Sequence, residues 1–420
     1  MGVDDGGTLD ACPLLPAEVS SRLLTPALVV WMDAVRHNVR LIQGLTGGRW
    51  RPHLKTTKMA GVWRELVRHG ISSFKVATVK ELQVLLRVLR EAEEEGGGCE
   101  DGGRWDVLVA YPVRGPHLSL VGRAAAECVG LARVSVLVEG VEDVAALPEH
   151  VSAFVDVNPG MNRTGVTLAD TLDESVRRVQ RVVGAAARVD KYRGIHFYEG
   201  HLVWGEDRDA ECERAYEWLV DLHSRCESAA HCDEVITSGT PGFLSALRAD
   251  LEARLVGGKT VHRVSPGTVV FHDGDGELQN PGLGLRPACM LVSRLVSRPN
   301  ADTVTLDCGS KSLDASSGDP AATVHRVEQE EADGAWTLIG DVRDVFEARH
   351  PSEEHTPMRV VQPSDRVRAL RPGEALFYLV PKHVCPTVNL AEEALVVDCG
   401  RVRVEPVAAR GHGPVLLPPA

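Results

Sequence analysis

The sequence predicts an α/β fold, a (β/α)8 TIM-type barrel followed by a second, C-terminal all-β domain. Between about residue 50 and residue 270, short apolar runs rich in β-formers alternate with amphipathic helical stretches about eight times. Eight such units fit one closed barrel, and a doubly wound open sheet is the alternative. After about residue 285 the helical pattern almost disappears, and short strands separated by Gly or Pro turns indicate a β-domain.

Each predicted barrel strand is a short run that ends at polar, Gly or Pro residues. These runs are 51–55, 73–78, 106–111, 134–138, 153–157, 194–198, 234–237 and 261–264. Apolar residues spaced three and four apart predict helices at 34–43, 79–95, 171–185, 206–228 and 243–255. The predicted strands of the β-domain are 290–296, 303–306, 323–328, 336–342, 366–370, 375–380, 394–398 and 401–407.

This pattern divides the chain into three segments. Residues 1–32 are expected to pack on the β-domain, residues 33–285 form the barrel, and residues 286–420 form the β-domain. The acidic, Gly-rich run at 91–103 predicts an exposed loop at a helix end.

Composition restricts the partners and the compartment. Forty-six Lys and Arg against 59 Asp and Glu give a net charge of −13, which argues against nucleic acid and anionic membranes as partners. No apolar run approaches the ~20 residues of a membrane span, and the first 15 residues, without Lys or Arg, do not resemble a signal peptide. Ten scattered cysteines without a CxxC pair indicate a reducing compartment, so we expect a cytoplasmic protein.

The first barrel strand ends in the run PHLKTTK, which contains Lys55. Catalytic groups of such barrels lie where strands end, and a desolvated lysine there has the depressed pKa that a Schiff-base lysine needs. A lysine before a helix is more often a solvated surface group, so this position alone leaves both interpretations open.

A second strand end carries the run TSGTPG, with Ser238, Gly239 and Thr240. Such a loop can turn consecutive backbone N–H groups toward an anion, as phosphate sites do, although Gly and Pro turns are usually only turns. Two further strand ends add GMNRTG and YEGH to the same predicted edge of the barrel.

These motifs together resemble the alanine-racemase-like, fold-type III group of pyridoxal-phosphate enzymes from about residue 24 to residue 407. PHLKTTK is similar to the family segment whose first lysine carries pyridoxal 5'-phosphate, which implies that role for Lys55. The resemblance also implies that Arg163 contacts the phenolic oxygen of the cofactor and that Tyr198 lies beside its ring. The segment Ser238–Gly239–Thr240 would take the phosphate.

The β-domain carries PKHVCPTVN, with His383 and Cys385 in a segment predicted to be a strand. Alternate strand positions face the same side, so imidazole and thiolate could hold one ion, with zinc favoured and manganese or magnesium as alternatives. A buried Cys beside a structural His is the alternative. The segment resembles the metal site of the D-serine dehydratase and D-threonine aldolase branch. SEEH resembles another element of that branch, which implies that His355 approaches the site and acts in catalysis; an exposed polar turn is the alternative.

Two departures from the family pattern stand out. Thr57 occupies the position where the family has a histidine, and Val269 the position where it often has a tyrosine. The motifs are also mixed, because YEGH resembles the aldolases whereas Cys385 resembles the dehydratases.

We therefore expect a lyase that acts on a D-β-hydroxy-α-amino acid. Elimination to a keto acid and ammonia, as in D-serine dehydratase, is favoured because of Cys385, and retro-aldol cleavage to glycine and an aldehyde is the alternative. A non-catalytic pyridoxal-phosphate carrier and an amino-acid racemase are further alternatives, both disfavoured by the predicted metal site. The resemblance also implies a homodimer.

Overall fold

The computed structural model describes residues 12–98, 103–203, 205, 207–255, 259–342 and 344–413. These residues form two compact units. The barrel unit comprises Arg40–Lys55 and Trp63–Gly267. The β-unit comprises Thr56–Val62, Thr268–Arg410 and the N-terminal residues up to Val39. Of the predicted exposed loop 91–103, residues 91–94 belong to the end of a helix. Residues 99–102, which include the cysteine at position 99, lie outside the described residues.

The chain begins with a short helix, a strand and two longer helices. They are α1 (Ala17–Ser20), β1 (Ala27–Trp31), α2 (Met32–Thr46) and α3 (Ala60–Arg68). Alternating strands and helices then follow: β2 (Ser73–Val76), α4 (Val79–Glu94), β3 (Trp105–Pro112), α5 (Gly115–Ala126), β4 (Ala132–Val138), α6 (Val141–Ala145), β5 (Val151–Asn158), β6 (Val166–Thr167), α7 (Leu172–Arg188), β7 (Tyr192–Phe197), α8 (Arg208–Cys226), β8 (Glu234–Thr237), α9 (Phe243–Arg248), α10 (Leu251–Arg254) and β9 (Val261–Val264).

The barrel sheet is parallel throughout, in the order β2-β3-β4-β5-β7-β8-β9, with β6 paired to β5. The segment before Lys55 joins its two ends, because Trp50 bridges Val264 of β9 and His53 bridges Lys75 of β2. The N–H of Arg51 donates to the carbonyl of Val264 at 2.9 Å, and the N–H of Lys75 donates to the carbonyl of Pro52 at 3.0 Å. The predicted barrel is therefore confirmed.

Sequence and structure differ at several helices and strands. The predicted helix 243–255 is two helices, α9 and α10, because Asp250 adopts a left-handed conformation with φ of 47° and interrupts the hydrogen-bond ladder. The predicted strand 51–55 is wrong as a regular strand, because it contains only an isolated bridge at His53, and residues 54–57 form a turn. The predicted helix 206–228 is observed as α8, from Arg208 to Cys226. The predicted strands 234–237 and 261–264 agree with β8 and β9.

A buried ion cluster lies at the N-terminal ends of the barrel strands. The fully buried guanidinium of Arg51 donates twice to Glu234, at 2.8 Å each, and once to Asp106 at 2.9 Å. Arg193 donates to the second oxygen of Asp106 at 3.3 Å. Because Asp106 and Glu234 belong to β3 and β8, Arg51 connects the closing segment to opposite parts of the sheet.

The β-unit continues after the barrel with a 3-10 turn (Thr268–Val270) and mostly short elements. They are α11 (Gly274–Gln279), β10 (Cys289–Asn300), β11 (Thr303–Leu306), β12 (Ala322–Glu330), β13 (Trp336–Leu338), β14 (Phe346–Ala348), β15 (Thr356–Val360), α12 (Asp365–Arg368), β16 (Ala375–Pro381), α13 (Val384–Leu390), β17 (Glu393–Asp398) and β18 (Arg401–Pro406).

The principal sheet of this unit runs β13-β12-β16-β10-β1-β17-β18, with β11, β15 and β14 attached through β10. Strand β1 pairs antiparallel to β10 and parallel to β17, so the N-terminal strand lies in the middle of the sheet. The core is aliphatic with a few aromatic side chains, such as Phe346 and Phe377.

The prediction of a strand at 366–370 is wrong. Residues 366–368 belong to helix α12 and residues 369–370 follow it; Ser364 caps the start of this helix, since its hydroxyl accepts the N–H of Val367 at 3.3 Å. No helix among the described residues is long and apolar enough to cross a membrane. The nine described cysteines are free thiols, seven of them buried, so none of them forms a disulfide.

We predict that Arg51→Met lowers the free energy of unfolding by about 3 kcal/mol, because it removes three charge-assisted hydrogen bonds and leaves Glu234 and Asp106 only their longer contacts to Arg263 and Arg193, at 3.5 and 3.3 Å. Urea unfolding followed by circular dichroism measures this. Arg177→Met is the control, since Arg177 makes an exposed pair with Glu174 and its loss should leave the midpoint unchanged. Equal midpoints for Arg51→Met and the wild type would contradict the assigned role.

Candidate active site

Lys55 lies directly after the segment that closes the barrel. The bridge to β2 ends at His53, and residues 54–57 form a turn, so the side chain of Lys55 is exposed instead of desolvated as the sequence suggested. Burial and the ammonium groups of Lys55 and Lys75 hold the pKa of His53 well below its usual range. Two lysines and a neutral histidine thus lie together at this strand end.

The ring of Tyr198 lies beside two other predicted cofactor residues, Arg163 and Gly239. The guanidinium of Arg163 lies 4.9 Å from the centroid of this ring. A Cβ added to Gly239 would lie 3.2 Å from Cε2 of Tyr198, and one added to Gly200 would lie 2.2 Å from Cε1. The two glycines are therefore required for the approach of the backbone to this ring.

The loop that starts at Ser238 is held in a strained conformation. Ser238 has a φ of 51°, in the left-handed region, and its N–H donates to Oε2 of Glu199 at 3.1 Å. The other oxygen of Glu199 accepts the hydroxyl of Tyr216 at 2.8 Å. Burial raises the pKa of Glu199. The carboxyl of Glu199 therefore holds the first residue of the segment Ser238–Thr240, which is predicted to take the phosphate.

The sequence analysis missed a buried polar chain inside the barrel. Asp156, on β5, lies 2.7 Å from Nδ1 of His196, on β7, and Nε2 of His196 lies 2.8 Å from the ammonium nitrogen of Lys75, on β2. Because a carboxylate only accepts, Nδ1 carries the proton and Nε2 accepts from Lys75. The ammonium also lies 5.5 Å from the ring of Tyr198. A lysine inside the apolar strand SFKV was the available signal.

Burial dominates the titration of this chain. Desolvation, reinforced by Lys55, lowers the pKa of Lys75 to about 7. Desolvation and the cation of Lys75 lower the pKa of His196 to about 4, against the opposing hydrogen bond to Asp156. His196 is therefore neutral near pH 7, and Lys75 is poised between its two forms.

The barrel residues fit an anionic, aromatic cofactor such as pyridoxal phosphate. Lysine, arginine and tyrosine lie beside each other, and two glycines open space around the tyrosine. Two buried oxygens, Oδ2 of Asp156 and Oγ of Ser265, have no hydrogen-bond partner in the described part of the chain. Orphaned buried groups of this kind mark positions where a ligand completes the hydrogen bonding.

In the β-unit the segment with His383 and Cys385 is not a strand, so that prediction is wrong. Strand β16 ends at Pro381, and helix α13 begins at Val384 with His383 as its N-cap. Pro386 explains the difference, since a proline is tolerated in the first helical turn but not inside a sheet. The two residues still lie together at the start of this helix, and Cys385 is one of the groups that raise the pKa of His383.

Each of these two side chains has a further partner. Nδ1 of His383 lies 3.1 Å from Oδ2 of Asp273, and Sγ of Cys385 lies 3.1 Å from the hydroxyl of Thr56, the residue after Lys55. Burial disfavours the imidazolium, but the bonds to Asp273 and Cys385 outweigh it and raise the pKa of His383 to about 10. One nitrogen and one sulfur, both half-buried, fit an open zinc-type site.

The remaining predicted residue, His355, has no hydrogen bond to His383 or Cys385 among the described residues. It is exposed in a turn where its carbonyl accepts the N–H of Ser352 at 2.9 Å. The neighbouring Glu353 and Glu354 pair with Lys311.

The two departures from the family pattern are both buried positions. Thr57 is 1 % exposed and Val269 is 1 % exposed, and Val269 lies in the 3-10 turn of the β-unit.

The fold and these residues define a pyridoxal-phosphate enzyme of fold type III. The chain belongs to the family described as alanine racemase, N-terminal domain, whose model matches residues 30–271. Residues 288–397 match the putative serine dehydratase domain. The resemblance drawn from the motifs is thereby confirmed.

Similar proteins are lyases, named as aldolases or dehydratases. The chain is 27% identical over 420 residues to a 3-hydroxy-D-aspartate aldolase of Paracoccus denitrificans, with 96% of each chain covered. It matches the structure of the Filomicrobium marinum D-threonine aldolase with a TM-score of 0.73 and 22% identity, covering 93% of this chain and 96% of that one.

A dehydratase shares the same fold. The D-threo-3-hydroxyaspartate dehydratase of Delftia sp. HT23 matches with a TM-score of 0.68 and 18% identity, covering 94% of this chain and 99% of that one. A cysteine-to-alanine variant of a D-threo-3-hydroxyaspartate dehydratase has been solved in the metal-free form.

We predict that His262 makes the protein less stable as the pH falls. Desolvation lowers its pKa to about 3, whereas an unfolded histidine titrates near 6.5. Between these two values His262 is protonated in the unfolded chain and neutral in the folded chain, so a fall in pH favours unfolding. Between pH 7 and pH 5 the wild type should lose about 2 kcal/mol more than His262→Gln in urea unfolding. His231→Gln, at an exposed position, should keep the wild-type difference.

Proposed function

We propose that the chain is a pyridoxal-phosphate- and divalent-metal-dependent lyase that acts on D-β-hydroxy-α-amino acids by α,β-elimination, releasing a keto acid and ammonia. The observation that carries this proposal is the position of His383 and Cys385 together at the start of one helix, in the part of the chain that matches a serine dehydratase domain. Imidazole and thiolate together favour zinc over harder ions.

The cofactor residues of the proposal lie in the barrel unit. When bound, pyridoxal phosphate supplies an electron sink for charge at Cα, and a divalent ion supplies Lewis acidity for the β-hydroxyl. In the proposal Lys55 holds the cofactor, Arg163 and Tyr198 orient its ring, and the segment Ser238–Gly239–Thr240 binds its phosphate.

Lys55 also serves as the base of the proposed reaction. It takes the α-proton of the substrate, and the β-hydroxyl leaves as water, so that the resulting enamine hydrolyses to a keto acid and ammonia. Because Lys55 is exposed after the closing segment, its amine is free to reach first the cofactor and then the α-proton of the substrate. In the β-unit, His383 and Cys385 would hold the ion.

Retro-aldol cleavage is the second candidate function. It is favoured by the match over 96% of the chain to an aldolase of 3-hydroxy-D-aspartate. In that reaction a base, with His355 as the candidate from the sequence, takes the proton of the β-hydroxyl, and the Cα–Cβ bond breaks to give glycine and an aldehyde. The exposed turn at His355 supplies no contact that supports this role.

The proposal predicts the products of three substrates. Incubation with D-serine, D-threonine and a D-3-hydroxyaspartate should yield keto acid and ammonia in equal amounts, because each enamine hydrolyses to one molecule of each. Keto acid is measured with a dehydrogenase assay and glycine by chromatography. Glycine plus aldehyde as the main products would establish the aldolase instead. Treatment with a chelator should abolish product formation, and added Zn²⁺ should restore it.

The second prediction concerns the cofactor lysine. Lys55→Ala should remove the visible absorbance of the bound cofactor, since no amine of the protein is then left to hold it covalently at this position. Lys58→Ala, at the second lysine of the same motif, is the matched control and should keep the absorbance. Loss of absorbance in Lys58→Ala with retention in Lys55→Ala would show that the assignment is wrong.

A further inference from the structure

Asp273 is a buried carboxylate with no assigned role in the proposed chemistry. Its side chain is 1% exposed, and both of its oxygens accept hydrogen bonds. Oδ1 accepts the N–H of Gly276 at 2.7 Å and thereby caps helix α11. Oδ2 accepts the N–H of Val384 at 2.9 Å and lies 3.1 Å from Nδ1 of His383. Two of these three groups belong to the segment that carries His383, so the carboxylate of Asp273 contacts that segment directly.

The acceptor-only character of a carboxylate determines the state of the imidazole. Nδ1 of His383 must keep its proton to donate to Oδ2 of Asp273, so an ion that binds this imidazole displaces the proton of Nε2 and takes that nitrogen as its ligand. A fixed ring orientation and a more basic Nε2 follow from this pairing.

We infer that Asp273 is a positioning residue of the metal centre, which orients His383 so that Nε2 is its ligand atom. This inference rests on the proposed function, which supplies the ion.

The same carboxylate also fixes the position of the second ligand. Val384 is the first residue of helix α13, and its N–H is one of the groups that an α-helix leaves unpaired. By accepting this N–H, Asp273 holds the first turn, which carries Cys385. The backbone approaches closely here, since a Cβ on Gly274 would lie 3.3 Å from Cα of Lys382. One carboxylate therefore contacts both the imidazole of His383 and the first turn of the helix that carries Cys385.

Neighbouring charges provide a matched control. Three further charged residues lie near His383, namely Asp275, Lys382 and Asp314. Among the described residues, the side chain of Asp275 makes no hydrogen bond. Asp275→Asn removes one negative charge close to His383, as Asp273→Asn does, but leaves the orientation of the ring intact. Asparagine at position 273 can still accept the N–H of Gly276 and so keeps the helix cap.

The experiment measures zinc affinity in the full-length, cofactor-loaded protein. After removal of bound metal, Zn²⁺ is titrated in competition with a fluorescent chelator, for the wild type, Asp273→Asn, Asp275→Asn, His383→Ala and Cys385→Ala. We expect the dissociation constant of Asp273→Asn to rise about 10- to 100-fold and that of Asp275→Asn to change less than about threefold. Urea midpoints of the same proteins report whether each variant is folded.

A second measurement does not depend on Asp273→Asn. A ¹⁵N–¹H correlation spectrum of the histidine rings in the zinc-loaded wild type should show a proton on Nδ1 of His383 and none on Nε2, with assignment by loss of the signal in His383→Ala. A proton on Nε2 would overturn the inference, even if Asp273→Asn failed to fold.

The outcomes separate the inference from the proposed function. Wild-type zinc affinity in Asp273→Asn, together with its loss in His383→Ala, would overturn the role of Asp273 and leave the metal site intact. Wild-type affinity in both His383→Ala and Cys385→Ala would instead remove the metal site from the proposed function. An equal loss in Asp273→Asn and Asp275→Asn would show that charge, and not orientation, is responsible.

Discussion

The buried guanidinium of Arg51 is the interaction on which the barrel unit depends. A parallel sheet becomes a barrel only if its first and last strands are joined, and here an irregular segment of a few residues makes that connection. Two backbone bridges alone hold such a segment weakly. Arg51 adds three charge-assisted hydrogen bonds to Glu234 and Asp106, in an interior where desolvation makes any unpaired member costly.

This closure has a direct consequence for the proposed chemistry. Lys55 follows Arg51 by four residues, at the opposite end of the closing segment. The ion cluster at the N-terminal ends of the strands therefore fixes the segment that positions Lys55. The interior between them is not purely apolar, since the chain of Asp156, His196 and Lys75 crosses it beneath Tyr198. Neutral His196 lets a lysine remain buried there without a carboxylate in direct contact.

The motifs were sufficient to predict the barrel, the β-domain and the set of residues around Tyr198. Strand ends in a parallel barrel converge on one edge, so residues far apart in the chain could be grouped without coordinates. The sequence also placed His383 and Cys385 in one segment, but it predicted the wrong structure for that segment. A spacing of two suggested a strand, whereas Pro386 and the contact of Asp273 with Val384 start a helix, and the two residues lie together at its start.

The sequence alone determined the fold class and the types of side chain available, because periodicity and strand-end motifs are local properties of the chain. Only the tertiary structure decided which of these groups are buried and which neighbours they have. Lys75, Asp273 and Glu199 are ordinary charged residues in the sequence, and their roles follow from partners 121, 110 and 39 residues away. Hydrogen-bond geometry and desolvation act through space, so no local pattern encodes them.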